Sequence, residues 1–208
     1  MGHKLFSLKY WFYDFTKVTA AIPGLIWMRP KRIYENKAAK KMIRGGALLC
    51  SNHQTHLDPI YLQFCIWYRR QRFVCLKEFF RTPGLSWLFG HFMCIPLDRE
   101  NPGLKTIREI AKGLREGWLI SVFPEGRITG DTGGGFHSGI ILMALQGECP
   151  IIPVYIAPRK NRFSRATFVI GEPLVLTGED GKKPGIGEIE KYTALLQEKE
   201  ENLKNYVH

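Results

Sequence analysis

A chain of 208 residues with 45% hydrophobic content is long enough to bury one core and too short for two comfortable domains. Thirty basic side chains against nineteen acidic ones leave a formal net charge of +11, which calls for an anionic partner: nucleic acid, an anionic membrane surface or phosphorylated substrates. The five cysteines, Cys50, Cys65, Cys75, Cys94 and Cys149, are widely spaced and form no C-x-x-C pair, which argues against a disulfide framework or a zinc-thiolate site and for reduced core thiols.

The start MGHKLFS departs from the myristoylation pattern, since Phe6 stands where Ser or Thr is needed. Lys9, Asp14 and Lys17 interrupt the apolar run that a cleavable signal peptide, or a membrane span of about 20 residues, requires. Leu8, Trp11, Phe12, Phe15, Val18 and Ile22 share one helical face, with Lys9, Tyr13, Thr16 and Lys17 opposite and Asp14 on the flank. The Pro23-Gly24 pair is expected to end or kink this helix. In RPKRIYENKAAKKMIR, which follows, seven basic residues (Arg29, Lys31, Arg32, Lys37, Lys40, Lys41 and Arg44) accompany the single acid Glu35. An aromatic-rich amphipathic helix followed by a polybasic run is the pattern of a protein lying on an anionic leaflet, where each basic residue contributes about 1 kcal/mol. A core-packed helix with a solvated basic loop satisfies the same pattern. Residues 1–45 are thus read as an amphipathic helix and basic membrane-association segment, and residues 46–208 as the main domain. With no signal peptide, the expected location is the cytoplasmic face of a membrane, peripheral or monotopic. No helix-turn-helix, aromatic RNA-binding signature or zinc finger accompanies the basic run, so no nucleic-acid partner is expected.

From Ala47 onward the short apolar runs ALLCS, RFVCL, CIPLD, WLISVF, IIPVYI and ATFVIG alternate with segments of helical length. This predicts an α/β fold, a single domain with a mostly parallel or mixed sheet flanked by helices, its site gathered at the carboxyl ends of the strands. NPGLKTIREIAKGLREG reads as a packing helix with Leu104, Ile107, Ala111 and Leu114 on one face and Gly117 at its C-cap. The tail from Gly178 reads as a turn-rich loop that becomes a charged surface helix.

Two polar knots follow apolar runs. In SNHQTHLDP, Asp58-Pro59 is a helix-start signal, because aspartate caps free N–H groups and proline is tolerated at the first helical position. If the chain turns between them, Asp58 can instead hold one nitrogen of His53 and leave the other to take a proton from a hydroxyl. His56 adds a third metal-capable side chain, but the H-x-x-H-x-D order lacks the thiols or further histidines of a specific zinc site, and no metal is expected. In FPEGRITGDTGGG, Glu125, Gly126 and Arg127 are released from a strand into a glycine-rich loop, where N–H groups and a guanidinium can approach an anion. No P-loop, G-x-G-x-x-G or G-x-S-x-G is present, which removes support for nucleotide binding by those devices and for serine-hydrolase chemistry.

Together these stretches resemble the glycerolipid acyltransferases, the lysophosphatidate acyltransferase-like proteins. NHQTHLDP matches their H-x-x-x-x-D motif and FPEGRITG their F-P-E-G block, while LKEFFRTPG, CIPLDR and IIPVYI are similar to the blocks between and after, in order over Gly46 to about Glu172. The resemblance implies transfer of an acyl chain from acyl-CoA or acyl carrier protein, as co-substrate and with no cofactor, to the free secondary hydroxyl of lysophosphatidate. It makes residues 46–208 the catalytic domain, with His53 as general base and Asp58 as its orienting partner. Lys77, Arg99, Glu125, Gly126 and Arg127 would hold the phosphorylated acceptor, and Pro153 would shape the acyl or substrate channel. Lys77 equally suits a solvated charge beyond a strand, and Pro153 an edge-strand residue, whereas Arg99 and Glu125 are read as functional ahead of a solvated charge and an ordinary turn acid. The sequence departs from the family's commoner F-P-E-G-T-R-S in placing Arg127 one residue early, and His137 stands where a lysine is common. The variant looks closer to domains that acylate lysophosphatidylethanolamine, so that head group is the alternative acceptor. A non-catalytic anionic-lipid-binding module is the alternative of another class.

Overall fold

A computed structural model describes residues 10–98, 104–124, 134–161, 164–178 and 184–207. In chain order its elements are α1 (Trp11–Met28), β1 (Lys31–Tyr34), β2 (Ala47–Ser51), α2 (Asp58–Cys65), β3 (Gln71–Leu76), a 3-10 turn (Lys77–Arg81), α3 (Pro83–His91), β4 (Ile95–Leu97), α4 (Leu104–Arg115), β5 (Leu119–Val122), α5 (Gly134–Gly147), β6 (Ile151–Ile156), β7 (Thr167–Ile170) and α6 (Ile186–Leu203). The strands form one sheet in the order β1-β7-β6-β2-β5-β3-β4, parallel throughout except where β7 pairs antiparallel with β6. This is the single α/β domain that the alternation of short apolar runs predicts.

The sheet separates two apolar layers, as the period of two dictates. Ala47 and Leu49 of β2, Leu119 of β5, and Ile152, Val154 and Ile156 of β6 face α1 and α2. Leu48 and Cys50, Ile120 and Val122, and Ile151 face α4, α5 and α6. β2 lies at the middle of the sheet and is buried at every position, which is why ALLCS is apolar almost throughout. Just before it, a Cβ on Gly46 would come within 1.9 Å of the Leu114 carbonyl oxygen, so only glycine lets α4 lie this close to the start of β2. Gly117, with φ of 88°, ends α4 as expected.

Two elements differ from the sequence reading. KRIY, assigned to the basic segment ahead of the domain, is the edge strand β1, paired in parallel with β7. A boundary at residue 45 therefore cuts through the sheet. Arg32 of this strand turns inward and donates to the Cys65 and Phe64 carbonyls at 2.6 and 3.0 Å, capping the end of α2. Of the two outcomes expected at Pro23, an end or a kink, the first helix does not end there but runs on to Met28, and Gly24 leaves room for the Phe64 ring, which a Cβ there would meet at 2.3 Å.

α1 docks by its polar side. Asp14, 6% exposed, takes a bidentate pair from Arg70 at 2.7 and 2.6 Å. The Tyr13 hydroxyl donates to Gln63 Oε1, lies 3.1 Å from the Gln71 carbonyl oxygen and accepts from the Gln71 N–H at 3.0 Å. Lys17 donates to the Arg69 carbonyl at 3.0 Å, and burial lowers its pKa to about 8 against the opposing pull of Asp14. Of the apolar stripe, Phe12 packs against the rings of Trp87, His91 and Phe92, while Trp11, Phe15, Val18, Ile22 and Ile26 point outward, between 57% and 70% exposed. Among the described residues no helix is long and apolar enough to cross a membrane.

Candidate active site

The five strands β6, β2, β5, β3 and β4 run in the same direction, so the chain leaves all of them at one edge of the sheet. β2 delivers Asn52 and His53 there, β5 delivers Phe123 and Pro124, β3 delivers Lys77, and β4 delivers Asp98. Loops at this edge are the ordinary place for a site in an open α/β sheet.

Asp58 opens α2, yet its carboxylate does not cap that helix. It turns back over the loop: Oδ2 takes the His53 Nδ1–H at 2.9 Å and the N–H groups of Gln54 and Thr55 at 2.6 and 2.8 Å, and Oδ1 takes the Thr55 hydroxyl at 2.8 Å. Burial alone would raise the pKa of Asp58, whose side chain is 2% exposed, but the hydrogen bonds from His53, Thr55 and Gln54 outweigh it and hold the carboxyl below its ordinary value. An ionised, acceptor-only Asp58 fixes the proton of His53 on Nδ1. The imidazole also stacks on Phe123, with ring centres 4.3 Å apart and planes at 24°, so both its rotation and its tautomer are set. Nε2 has no hydrogen-bond partner among the described residues and carries the lone pair. Such an arrangement can accept a proton from a hydroxyl.

The structure thus brings His53 and Asp58 together. Lys77 lies on the same edge, two strands along, where it is ion-paired with Asp98. Pro153 is elsewhere. It stands opposite Cys50 in β6, a strand flanked by β2 and β7 rather than the edge strand that its chemistry suggests. Its carbonyl accepts from Gly171 N–H at 2.9 Å, which directs its missing N–H toward β7 at the point where that partner chain swings away between Ile170 and the Ile151–Leu174 bridge. Its ring packs at Gly171 beside Leu203, under the end of α6. Arg99, Glu125, Gly126 and Arg127 lie outside the described residues. Asp98 and Pro124, which precede them, are at the His53 edge. Among the described residues no group of three His, Cys, Asp or Glu side chains could hold a metal ion.

Two further residues stand at this edge. Phe123, which begins the F-P-E-G block, stacks on the His53 imidazole, and the only signal for it in the sequence is its place at the end of an apolar run. Asn52, beside His53, bonds the Ile156 peptide groups through its carboxamide, and an amide where the chain leaves a strand is the signal for it, since a carboxamide carries the donor and acceptor of a peptide group.

The family model described as Acyltransferase matches residues 31–157, well over half of the chain. The 1-acyl-sn-glycerol-3-phosphate acyltransferase of Bacillus subtilis (strain 168) is 29% identical over 135 residues, which cover 62% of this chain and 67% of that protein. The protein of the same name from Streptococcus pneumoniae (strain ATCC BAA-255 / R6) is 30% identical over 114 residues, 53% of this chain and 42% of its own length. The crystal structure of the 1-acyl-sn-glycerophosphate acyltransferase of Thermotoga maritima superposes with a TM-score of 0.60, covering 95% of this chain and 80% of that one at 18% identity, a likeness of fold.

Proposed function

The chain belongs to the acyltransferase family, and from that premise we propose that it transfers an acyl chain from a thioester, acyl-CoA or acyl carrier protein, to the free secondary hydroxyl of lysophosphatidate, giving phosphatidate. The observation that carries this reading is the His53–Asp58 contact at 2.9 Å, with the ionised carboxylate on one imidazole nitrogen and the other nitrogen unpartnered among the described residues. His53 Nε2 takes the hydroxyl proton as the oxygen attacks the thioester carbonyl. Asp58 stabilises the imidazolium that forms. The tetrahedral adduct collapses with cleavage of the C–S bond, and the imidazolium returns its proton to the departing thiolate. No enzyme nucleophile is required, since a thioester is already activated. The names of the Bacillus and Streptococcus relatives support lysophosphatidate as the acceptor. Lys77 stands at the same edge and would meet the phosphate by loosening its pair with Asp98.

The proposed location is the cytoplasmic face of a membrane, with the protein peripheral or monotopic. Two features support it. The outward stripe of α1 offers aromatic and aliphatic side chains to lipid, and Lys37, Lys40, Lys41 and Arg44 are exposed in the loop after β1.

Thiol release from acyl-CoA in the presence of lysophosphatidate tests the reading. Wild-type protein is expected to release thiol only when the acceptor is added, and His53→Ala, still folded, to lose about 10²- to 10⁴-fold in rate. Turnover retained by His53→Ala removes the proposed base. A preference for lysophosphatidylethanolamine changes the acceptor, and lipid binding without thiol release from acyl-CoA or acyl carrier protein leaves a non-catalytic lipid-binding module.

A further inference from the structure

The parallel ladder between β2 and β6 runs from Leu48↔Ile151 to Ser51↔Val154 and then stops. Were it to continue, the peptide groups of Ile156 would meet the backbone beyond Ser51. They meet a side chain instead. The Ile156 N–H donates to Asn52 Oδ1 at 2.7 Å, and Asn52 Nδ2 donates to the Ile156 carbonyl at 3.0 Å. Gln54 Nε2 adds a bond to the same carbonyl at 3.3 Å. A carboxamide carries the donor and acceptor of a peptide group, so Asn52 closes the ladder while its own main chain leaves the sheet.

The backbone donors of the loop are thereby free to bond elsewhere. With both peptide groups of Ile156 satisfied by side chains, the N–H groups of Gln54 and Thr55 turn the other way and meet Asp58 Oδ2 at 2.6 and 2.8 Å. That same oxygen holds His53 Nδ1. We propose that Asn52 is a positioning residue for the His53–Asp58 pair: by standing in for a ladder peptide it frees the loop to wrap the carboxylate, which fixes the imidazole. The inference rests on the acyl-transfer reading for its kinetic consequence, and on geometry alone for its structural one.

The experiment compares wild type, Asn52→Ala and the isosteric Asn52→Asp, which keeps an acceptor for Ile156 N–H but turns a carboxylate oxygen on the Ile156 carbonyl. Thiol release with lysophosphatidate, the thermal midpoint and the His53 Nδ1–H proton resonance are read on each. Folded variants are expected to lose on the order of 10²-fold in kcat, the scale of a misplacement of about 1 Å, with KM for the acceptor unchanged and the Nδ1–H resonance shifted upfield or lost to exchange. Wild-type kcat in either folded variant overturns the proposal. So does a fall in kcat that only follows the unfolded fraction while the Nδ1–H resonance of the folded protein stays in place. If wild type itself transfers no acyl chain, the functional reading fails, and the resonance alone decides whether Asn52 positions His53.

Discussion

His53 is controlled from two directions that do different things. The carboxylate decides which nitrogen carries the proton, and Phe123 decides how the ring lies, so neither contact substitutes for the other. Asp58 in turn depends on its neighbours, because a carboxylate this buried stays ionised only while four donors surround it. A group that ionises more readily folded than unfolded stabilises the fold fully above its ordinary pKa, 3.8 here, and loses that contribution as pH falls through its lower folded value. Wild-type stability is therefore expected to fall more steeply than that of Asp58→Asn once the pH drops below about 4, as urea unfolding across an acid series would record. Parallel curves for the two proteins would show that Asp58 is not held below its ordinary pKa. Nothing in the sequence distinguished this arrangement from a helix cap, since an aspartate before proline serves both; the direction in which the carboxylate turns is a property of the loop.

For α1 the decisive fact is also a direction. Periodicity defines an apolar stripe and an opposite polar side but is silent on which of them meets the body of the protein. Here Tyr13, Asp14 and Lys17 find partners on Gln63, Gln71, Arg70 and Arg69, more than forty residues away in the chain, so the inward polar side could not be read from the helix itself. Asp14→Ala would leave the Arg70 guanidinium buried without its carboxylate and is expected to destabilise the protein by about 3–5 kcal/mol, measured by urea unfolding. Replacing both partners by apolar residues, as in Asp14→Leu/Arg70→Met, is expected to recover much of that loss. β1 was hidden for a related reason. An edge strand needs few apolar residues, and Lys31 and Arg32 made it look like part of a charge run, whereas the central strands, buried on both faces, were visible as uninterrupted apolar segments.

At the scale of the molecule, the motifs converge because parallel strands release the chain at one edge, and that much was legible: a polar knot after an apolar run is a loop at the carboxyl end of a strand. The helix that carries the outward stripe connects this edge to the opposite one. Near its start Tyr10 packs edge-on to Trp118 ahead of β5, at 5.5 Å, and near its end Trp27 stacks on Arg159 beyond β6, at 5.3 Å. A bilayer lying on this face would run alongside His53's edge, and this geometry yields a prediction that separates membrane docking from folding. Phe15 and Ile22 are 60% and 70% exposed, so Phe15→Ser/Ile22→Ser should leave the thermal midpoint almost unchanged. If lipid covers them, each contributes about 1.5–3 kcal/mol to partitioning, and binding to anionic phospholipid vesicles should fall on the order of 10²-fold or more. Lys40→Glu/Lys41→Glu should weaken binding only at low salt, because its part is screened beyond a Debye length of about 8–10 Å. Unaltered vesicle binding by the serine variant would mean that the stripe of α1 faces something other than lipid.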